Sequence, residues 1–251
     1  MDNNKTNFGF KQVEIEEKSK LVKQVFSNVA NKYDLMNDLM SFGIHRRWKN
    51  KMVEKISLSR NCKIIDVAGG TGDIAFRIAN KAQNQGFNTL IEVVDINQEM
   101  LNEGKKRSID LNLFSNLNFA LADGENLPYQ DQQFDYYTIA FGIRNFTNIK
   151  QGLCEAHRIL KKNGKFICLE FAKVNDYFFQ QIYDQYSFKI IPKLGELILK
   201  DQNSYQYLVE SIRNFPPQNQ FKKMIEDAGF SNVSYQNLNL GIVAIYEATK
   251  L

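Results

Sequence analysis

Residues 64–75 read IIDVAGGTGDIA. Two isoleucines lead into Asp66, a turn carries Gly69, Gly70 and Gly72, and Ile74, Ala75 and Ile78 follow at helical spacing. This order predicts a buried strand, a glycine turn and a helix start, which together present backbone N–H groups to a ligand at a helix N-terminus. Glycine suits the turn because a Cβ would block close approach and the backbone is expected to visit positive φ. The plain alternative is an ordinary strand-to-helix loop.

Two nucleotide-binding signatures overlap here. Gly70, Gly72 and Ala75 fit the G-x-G-x-x-G/A fingerprint of dinucleotide folds, with Asp95 closing the next strand where a ribose-binding acid belongs. The same residues fit the D-x-G-x-G-x-G signature of Rossmann-like methyltransferases, with Asp66 leading and Ala68 in place of the first glycine. A carboxylate at Asp95 can accept hydrogen bonds from both ribose hydroxyls of either ligand. The glycine loop alone does not decide.

The following segments decide it. Asp123 comes after a short apolar strand, Leu117 to Leu121, where an acid can accept an adenine amine. FDYYTIAFGIRN (134–145) predicts a fourth strand ending at Arg144, and LKKNGKFICLEF (160–171) a turn into a fifth. The chain then closes with NVSYQNL and GIVAIYEA, separated by very few residues, which reads as an antiparallel hairpin. A dinucleotide fold would need a second βαβ half instead. The predicted fold is therefore α/β: a Rossmann-like class I S-adenosylmethionine methyltransferase with a mostly parallel seven-stranded sheet and an antiparallel C-terminal hairpin.

Here the resemblance narrows. DVAGGTGDIAFRI, VVDINQEML, TIAFGIRN, YDQYSFKIIPKLGE, SYQYLVESIR and GIVAI together are similar to the ubiquinone/menaquinone biosynthesis C-methyltransferase family. KYDLMNDLMSFGIHRRWK resembles that family's lid segment, and the match runs from about Phe8 to Leu251. The wording resembles the eukaryotic, mitochondrial branch more than the bacterial one.

The resemblance implies S-adenosylmethionine as cofactor, a polyprenyl quinol as substrate, and the following residues for each. Asp66 and the loop of Gly70, Thr71 and Gly72 would hold the methionine tail. Asp95 would take the ribose, Asp123 and the Gly124 backbone the adenine, and Ile96 and Ala140 would flank ring and sugar. Methylating an aromatic carbon is easiest when a ring hydroxyl is deprotonated. Arg144 and Asn145 are therefore expected at the acceptor, with Tyr33 closing over it. A guanidinium is a poor base, so Arg144 is expected to stabilise a phenolate or orient a water. Arg144 as an ion-pair residue and Tyr33 as core packing are the bland alternatives, and His157 reads as structural. Gly124 stands where alanine is common in the family, which is expected to loosen the adenine loop slightly.

Composition narrows the rest. The 251 residues carry 32 basic and 28 acidic side chains, a net charge of +4 that does not imply nucleic acid. Cys62, Cys154 and Cys168 are scattered and only two histidines are present, so neither a disulfide frame nor a metal site is expected. No stretch reaches membrane-spanning length. The first twenty residues lack an apolar signal core and hold acids early, so they are not a complete transit peptide.

One chain-long methyltransferase domain is expected. A helical lid covers 1–60, the cofactor core 61–174, a helical insertion 175–213, and a C-terminal helix with the hairpin 214–251. In the insertion, Phe179, Ile182, Tyr183, Tyr186 and Ile190 form one stripe at helical spacing. It suits a core or dimer face, a polyprenyl groove, or peripheral attachment to a membrane surface. With the resemblance, this predicts a peripheral protein on the matrix side of a mitochondrial inner membrane (the cytoplasm, for a prokaryotic source). A homodimer or membership of a larger mitochondrial complex is expected too. A nicotinamide-dependent oxidoreductase and a non-catalytic subunit of the same fold remain as alternatives.

Overall fold

The computed structural model describes residues 5–29, 35, 37, 38, 41, 43–174 and 202–251. Seven strands form its main sheet: β3 (Lys63–Val67), β4 (Leu90–Asp95), β5 (Leu117–Leu121), β6 (Phe134–Ala140), β7 (Leu160–Phe171), β8 (Ser231–Leu238) and β9 (Val243–Thr249). Their order is β5-β4-β3-β6-β7-β9-β8. The first five run parallel, whereas β9 pairs antiparallel with both β7 and β8. The expected sheet and terminal hairpin are both present. The chain steps outward from β3 to β5 and then returns to β6 on the other side of β3. That reversal creates a crevice at the C-terminal ends of β3 and β6.

The apolar runs follow from burial on both faces. Ile64 packs into one core and its neighbour Ile65 into the other. The first core gathers residues of α2 (His45–Glu54), α3 (Asp73–Asn84), α4 (Gln98–Asp110) and α6 (Gln202–Asn214). The second gathers residues of α5 (Ile149–Ile159) and α7 (Gln218–Asp227). Asn97 and Asn148 accept hydrogen bonds from the first free N–H groups of α4 and α5, so both helices start where their caps stand. Pro217 precedes α7, as the Pro216–Pro217 pair predicts, and Gly229 just beyond its end adopts φ of 101°.

The N-terminus departs from the all-helical expectation for 1–60. Lys5–Phe8 and Lys11–Glu14 form an antiparallel hairpin, β1 and β2, before α1 (Ile15–Val29) begins. These four-residue strands carry no alternating apolar signal. They are held by the tertiary structure: Phe8 stacks on Tyr207 of α6 at 4.2 Å, and the N–H of Phe10 donates to Glu210. Tyr33 and the 179–190 stripe lie outside the described residues.

Candidate active site

The crevice at the switch point is lined from four strand ends and covered by α1. Asp66 closes β3 with 1 % of its surface exposed. One of its oxygens accepts the Thr138 hydroxyl at 2.8 Å, and the other, Oδ2, has no hydrogen-bond partner. Burial, with Asp73 nearby, pushes its carboxyl up to about 7. Asp95 closes β4, accepting the Gly70 N–H at 2.9 Å and the Asn97 N–H at 2.8 Å on separate oxygens. It keeps part of its surface open to the cleft, yet desolvation still pushes it up to about 6. Each Asp95 oxygen retains a lone pair for a further donor.

The glycine turn is as tight as its sequence suggests. Gly70 has φ of 54°, and a Cβ there would meet Met100 at 2.9 Å. Ala68, replacing the first glycine of the signature, is also left-handed at φ of 51°. A side chain in that region costs of order 1–3 kcal/mol, so this alanine is a strained member of the loop. Thr71 lines the cleft and its hydroxyl accepts from Arg107 at 2.8 Å. Gly72 is absent from the lining: at φ of 84° it caps α3 and packs against Phe76. It shapes the turn and is not brought to the cleft.

Asp123 is exposed at the rim, accepting the Glu125 N–H at 2.9 Å, and Ile96 and Ala140 line the walls. The expectation of a looser loop at Gly124 is corrected. A Cβ there would meet Phe146 at 2.5 Å and Val67 at 2.9 Å, so the missing methyl lets Phe146 pack closely.

Arg144 and Asn145, adjacent in the 3₁₀ turn after β6, part company. Asn145 is among the residues that line the cleft, and its Oδ1 accepts from Tyr207. The Arg144 guanidinium is outside that lining, with 2 % of its side chain exposed. It donates to Glu170 at 2.8 Å and to the Phe141 carbonyl, and lies 5.4 Å from the Phe171 ring centroid. Phe141 is left-handed at φ of 57°, and the bond from Arg144 to its carbonyl helps hold that conformation. The ion-pair alternative for Arg144 is thus what the geometry presents. His157 packs edge-on against Phe230 at 5.0 Å, in keeping with a structural role.

Several lining residues have no signature in the sequence. Lys49, on α2, is buried against the cleft and bonds Asp73 at 2.7 Å. Val22, Lys23 and Phe26 of α1 form the cover. Asn97 ties that cover to Asp95: its Nδ2 donates to the Lys23 carbonyl and to Ser27, each at 3.0 Å, while its N–H serves Asp95. The run of basic residues around Lys49 was the one available hint. The α1 contacts depend on how a distant helix docks.

Comparison with known proteins settles the lineage. The model of the ubiE/COQ5 methyltransferase family matches residues 12–250. The chain belongs to the ubiE/COQ5 methyltransferase family. Membership makes it a methyltransferase that uses S-adenosylmethionine. Among its relatives is the ubiquinone/menaquinone biosynthesis C-methyltransferase of Rickettsia bellii, strain RML369-C. The two are 56 % identical over 248 residues, 99 % of this chain and all of that protein. The counterpart from Rickettsia felis is 55 % identical over the same shares. A methyltransferase from Aquifex aeolicus, at 15 % identity, superposes with a TM-score of 0.58 over 81 % of this chain and 89 % of its own. A possible histamine N-methyltransferase from Thermotoga maritima, at 18 % identity, gives 0.60 over 91 % and 99 %. Both of these likenesses concern the fold. The relatives reported are bacterial, so the expected closeness to the mitochondrial branch finds no echo in them. Among the described residues no helix is long and apolar enough to cross a membrane, and no group of three His, Cys, Asp or Glu side chains could hold a metal.

Proposed function

We propose that this ubiE/COQ5 family member methylates a ring carbon of a polyprenylated methoxy-benzoquinol in ubiquinone biosynthesis. The observation that supports it most is the pairing of a whole-chain family match with two cleft carboxylates that have hydrogen-bonding capacity to spare.

The cleft fits the cofactor. Asp66, with a bare oxygen in a dry site, suits the amino group of a methionine tail, and the Lys49 ammonium beside it suits the carboxylate. Asp95 would take two ribose hydroxyls. Asp123 and the backbone of Gly124 would take the adenine between Ile96 and Ala140, with Gly70 and Thr71 under the tail. When bound, the cofactor supplies a methyl carbon that bonds to the ring carbon as the sulfur–methyl bond breaks, leaving S-adenosylhomocysteine and one proton.

Asn145 would donate from its amide to the ring oxygen on which negative charge develops. A donor aimed at that charge in a water-poor cleft is worth more than in solvent. Arg144 would act from behind it, its buried pair with Glu170 holding the turn that carries Asn145. Tyr33 keeps the place the resemblance implies, closing over the ring. Phe141 provides an apolar floor, backed by Trp48 and Phe171. Alignment of ring carbon and methyl would then supply much of the acceleration.

A benzoquinol acceptor, peripheral membrane attachment, a homodimer or larger assembly, and residence at a mitochondrial inner membrane, or in the cytoplasm for a prokaryotic source, are the finer parts of the proposal. They rest on the resemblance. Methyl transfer from labelled cofactor to a short-tailed methoxy-benzoquinol, with a demethylated naphthoquinol in parallel, tests the acceptor. Product mapped by mass spectrometry to a benzoquinol ring carbon is the expected result. Transfer to the naphthoquinol alone would overturn the acceptor chosen here. Vesicle flotation, sedimentation and cell fractionation test attachment, assembly and compartment.

A further inference from the structure

The turn after β6 is buttressed by α6, and α6 in turn by the N-terminal hairpin. Tyr207 and Ser211 stand one turn apart on α6, so both face the same way. Ser211 accepts from the Arg144 Nε at 3.4 Å, and the Tyr207 hydroxyl donates to the Asn145 Oδ1 at 3.0 Å. Tyr207 is 4 % exposed. Its ring is stacked under Phe8 with planes 17° apart, and the hairpin turn carrying Phe8 is bonded to α6 on both sides. The N–H of Phe10 donates to Glu210, and Asn214 donates to the Gly9 carbonyl. An 8-to-207 contact thus ends one bond from the cleft.

The direction of that bond matters. A phenol is a better donor than acceptor, and an amide oxygen the better acceptor of the amide group. Burial pushes the Tyr207 phenol up, so it keeps its proton across the physiological range. With Oδ1 held by Tyr207, the amide NH₂ of Asn145, a residue of the cleft lining, is the end left to offer, and no described residue accepts from it. An unrestrained amide would present oxygen or nitrogen with similar ease, and an oxygen there would repel a developing phenolate.

We propose that Tyr207, clamped by Phe8 of the N-terminal hairpin, is a positioning residue that turns the Asn145 amide NH₂ toward the acceptor ring. The inference rests on the acceptor role given to Asn145 above, and it assigns the hairpin a part in catalysis. Tyr207→Phe removes one hydroxyl and keeps the stacked ring. In the full chain, kcat for a short-tailed methoxy-benzoquinol should fall roughly 10- to 100-fold, the scale of a small misplacement. Affinity for S-adenosylhomocysteine and the melting temperature should barely move. In an Asn145→Ala background the same change should leave kcat unaltered, because the group it orients is gone. Phe8→Leu, remote from the cleft, should show a smaller loss that vanishes in that background too. Unchanged kcat in Tyr207→Phe, or losses that multiply in the double variant, would overturn the proposal. Neutron structures with S-adenosylhomocysteine, which locate the amide hydrogens, separate it from the acceptor reading: the Asn145 amide should be flipped or split in Tyr207→Phe. A single unmoved amide overturns the positioning role whatever the activity. A wild-type enzyme inert toward quinols, with a split amide in the variant, would remove the acceptor reading alone.

Discussion

At the ends of β3 and β4, Asp66 and Asp95 are desolvated with no cation hydrogen-bonded to either among the described residues. At the end of β7, Glu170 is buried as deeply as Asp66, but Arg144 bonds one of its oxygens and the N–H groups of Arg144 and Phe171 reach it as well. The cleft and the buried pair behind it therefore both hold carboxyls pushed upward by burial. They differ in what is left over. Asp66 keeps a bare oxygen and Asp95 keeps lone pairs, so both have room for further donors, such as the amine and hydroxyls of the proposed cofactor. Glu170 is already complete. Deep burial alone does not mark a binding group; hydrogen-bonding capacity left over in a dry place does.

The sharpest break of this contrast is Arg144→Ala. It leaves Glu170 buried without its counter-charge, and removing one partner of such a pair costs about 3–5 kcal/mol of folding stability. Chemical denaturation should show that loss, and a double change of Arg144→Met with Glu170→Leu should recover most of it. A single variant of normal stability and no turnover would instead place the guanidinium in the chemistry directly.

Next in size is Asp95→Ala, which should weaken S-adenosylhomocysteine binding by about 1.5–3 kcal/mol, the scale of lost charge-assisted hydrogen bonds. Calorimetry showing unchanged affinity would move Asp95 to the structural side of the contrast.

The two halves should also respond differently to pH. Asp66 and Asp95 have folded-state values near 7 and 6, against 3.8 ordinarily. Over that window the folded, cofactor-free chain holds protons that the unfolded chain has released, so its stability falls as pH rises from about 4 to 7. A bound amine and ribose favour the carboxylates, so binding expels those protons and tightens with pH. With both protons expelled, affinity should rise by about two to three orders of magnitude between pH 5 and 7. The melting-temperature increase produced by S-adenosylhomocysteine should grow in step, and a flat response would sink the assignment of these acids.

The smallest effect belongs to Ala68→Gly. Relief of the left-handed alanine, offset by the greater freedom of an unfolded glycine, should raise stability by about 0.5–1 kcal/mol. A loss of stability on thermal denaturation would show that the Ala68 methyl, against which Gly142 is packed, contributes more than its strain costs.

The sequence by itself determined the strand, turn and helix around Asp66, because a short, nearly continuous apolar run, a cluster of glycines and a period-3.6 run are local signals. It determined Asp95 and Asp123 for the same reason, each being the first acid after an apolar strand, and the closing antiparallel pair from its short connection. Tertiary structure decided the rest. Lys49, the α1 cover and the Asn97 tie have meaning only once helices remote in sequence dock over the strand ends. The hairpin at 5–14 carries no alternation of its own and exists because α6 receives Phe8. Arg144 and Asn145 are adjacent in the chain, and no local pattern says which one faces the cleft. The partners that hold them, Glu170 and Tyr207, are 26 and 62 residues away: one pairs with the Arg144 guanidinium and the other donates to the Asn145 oxygen.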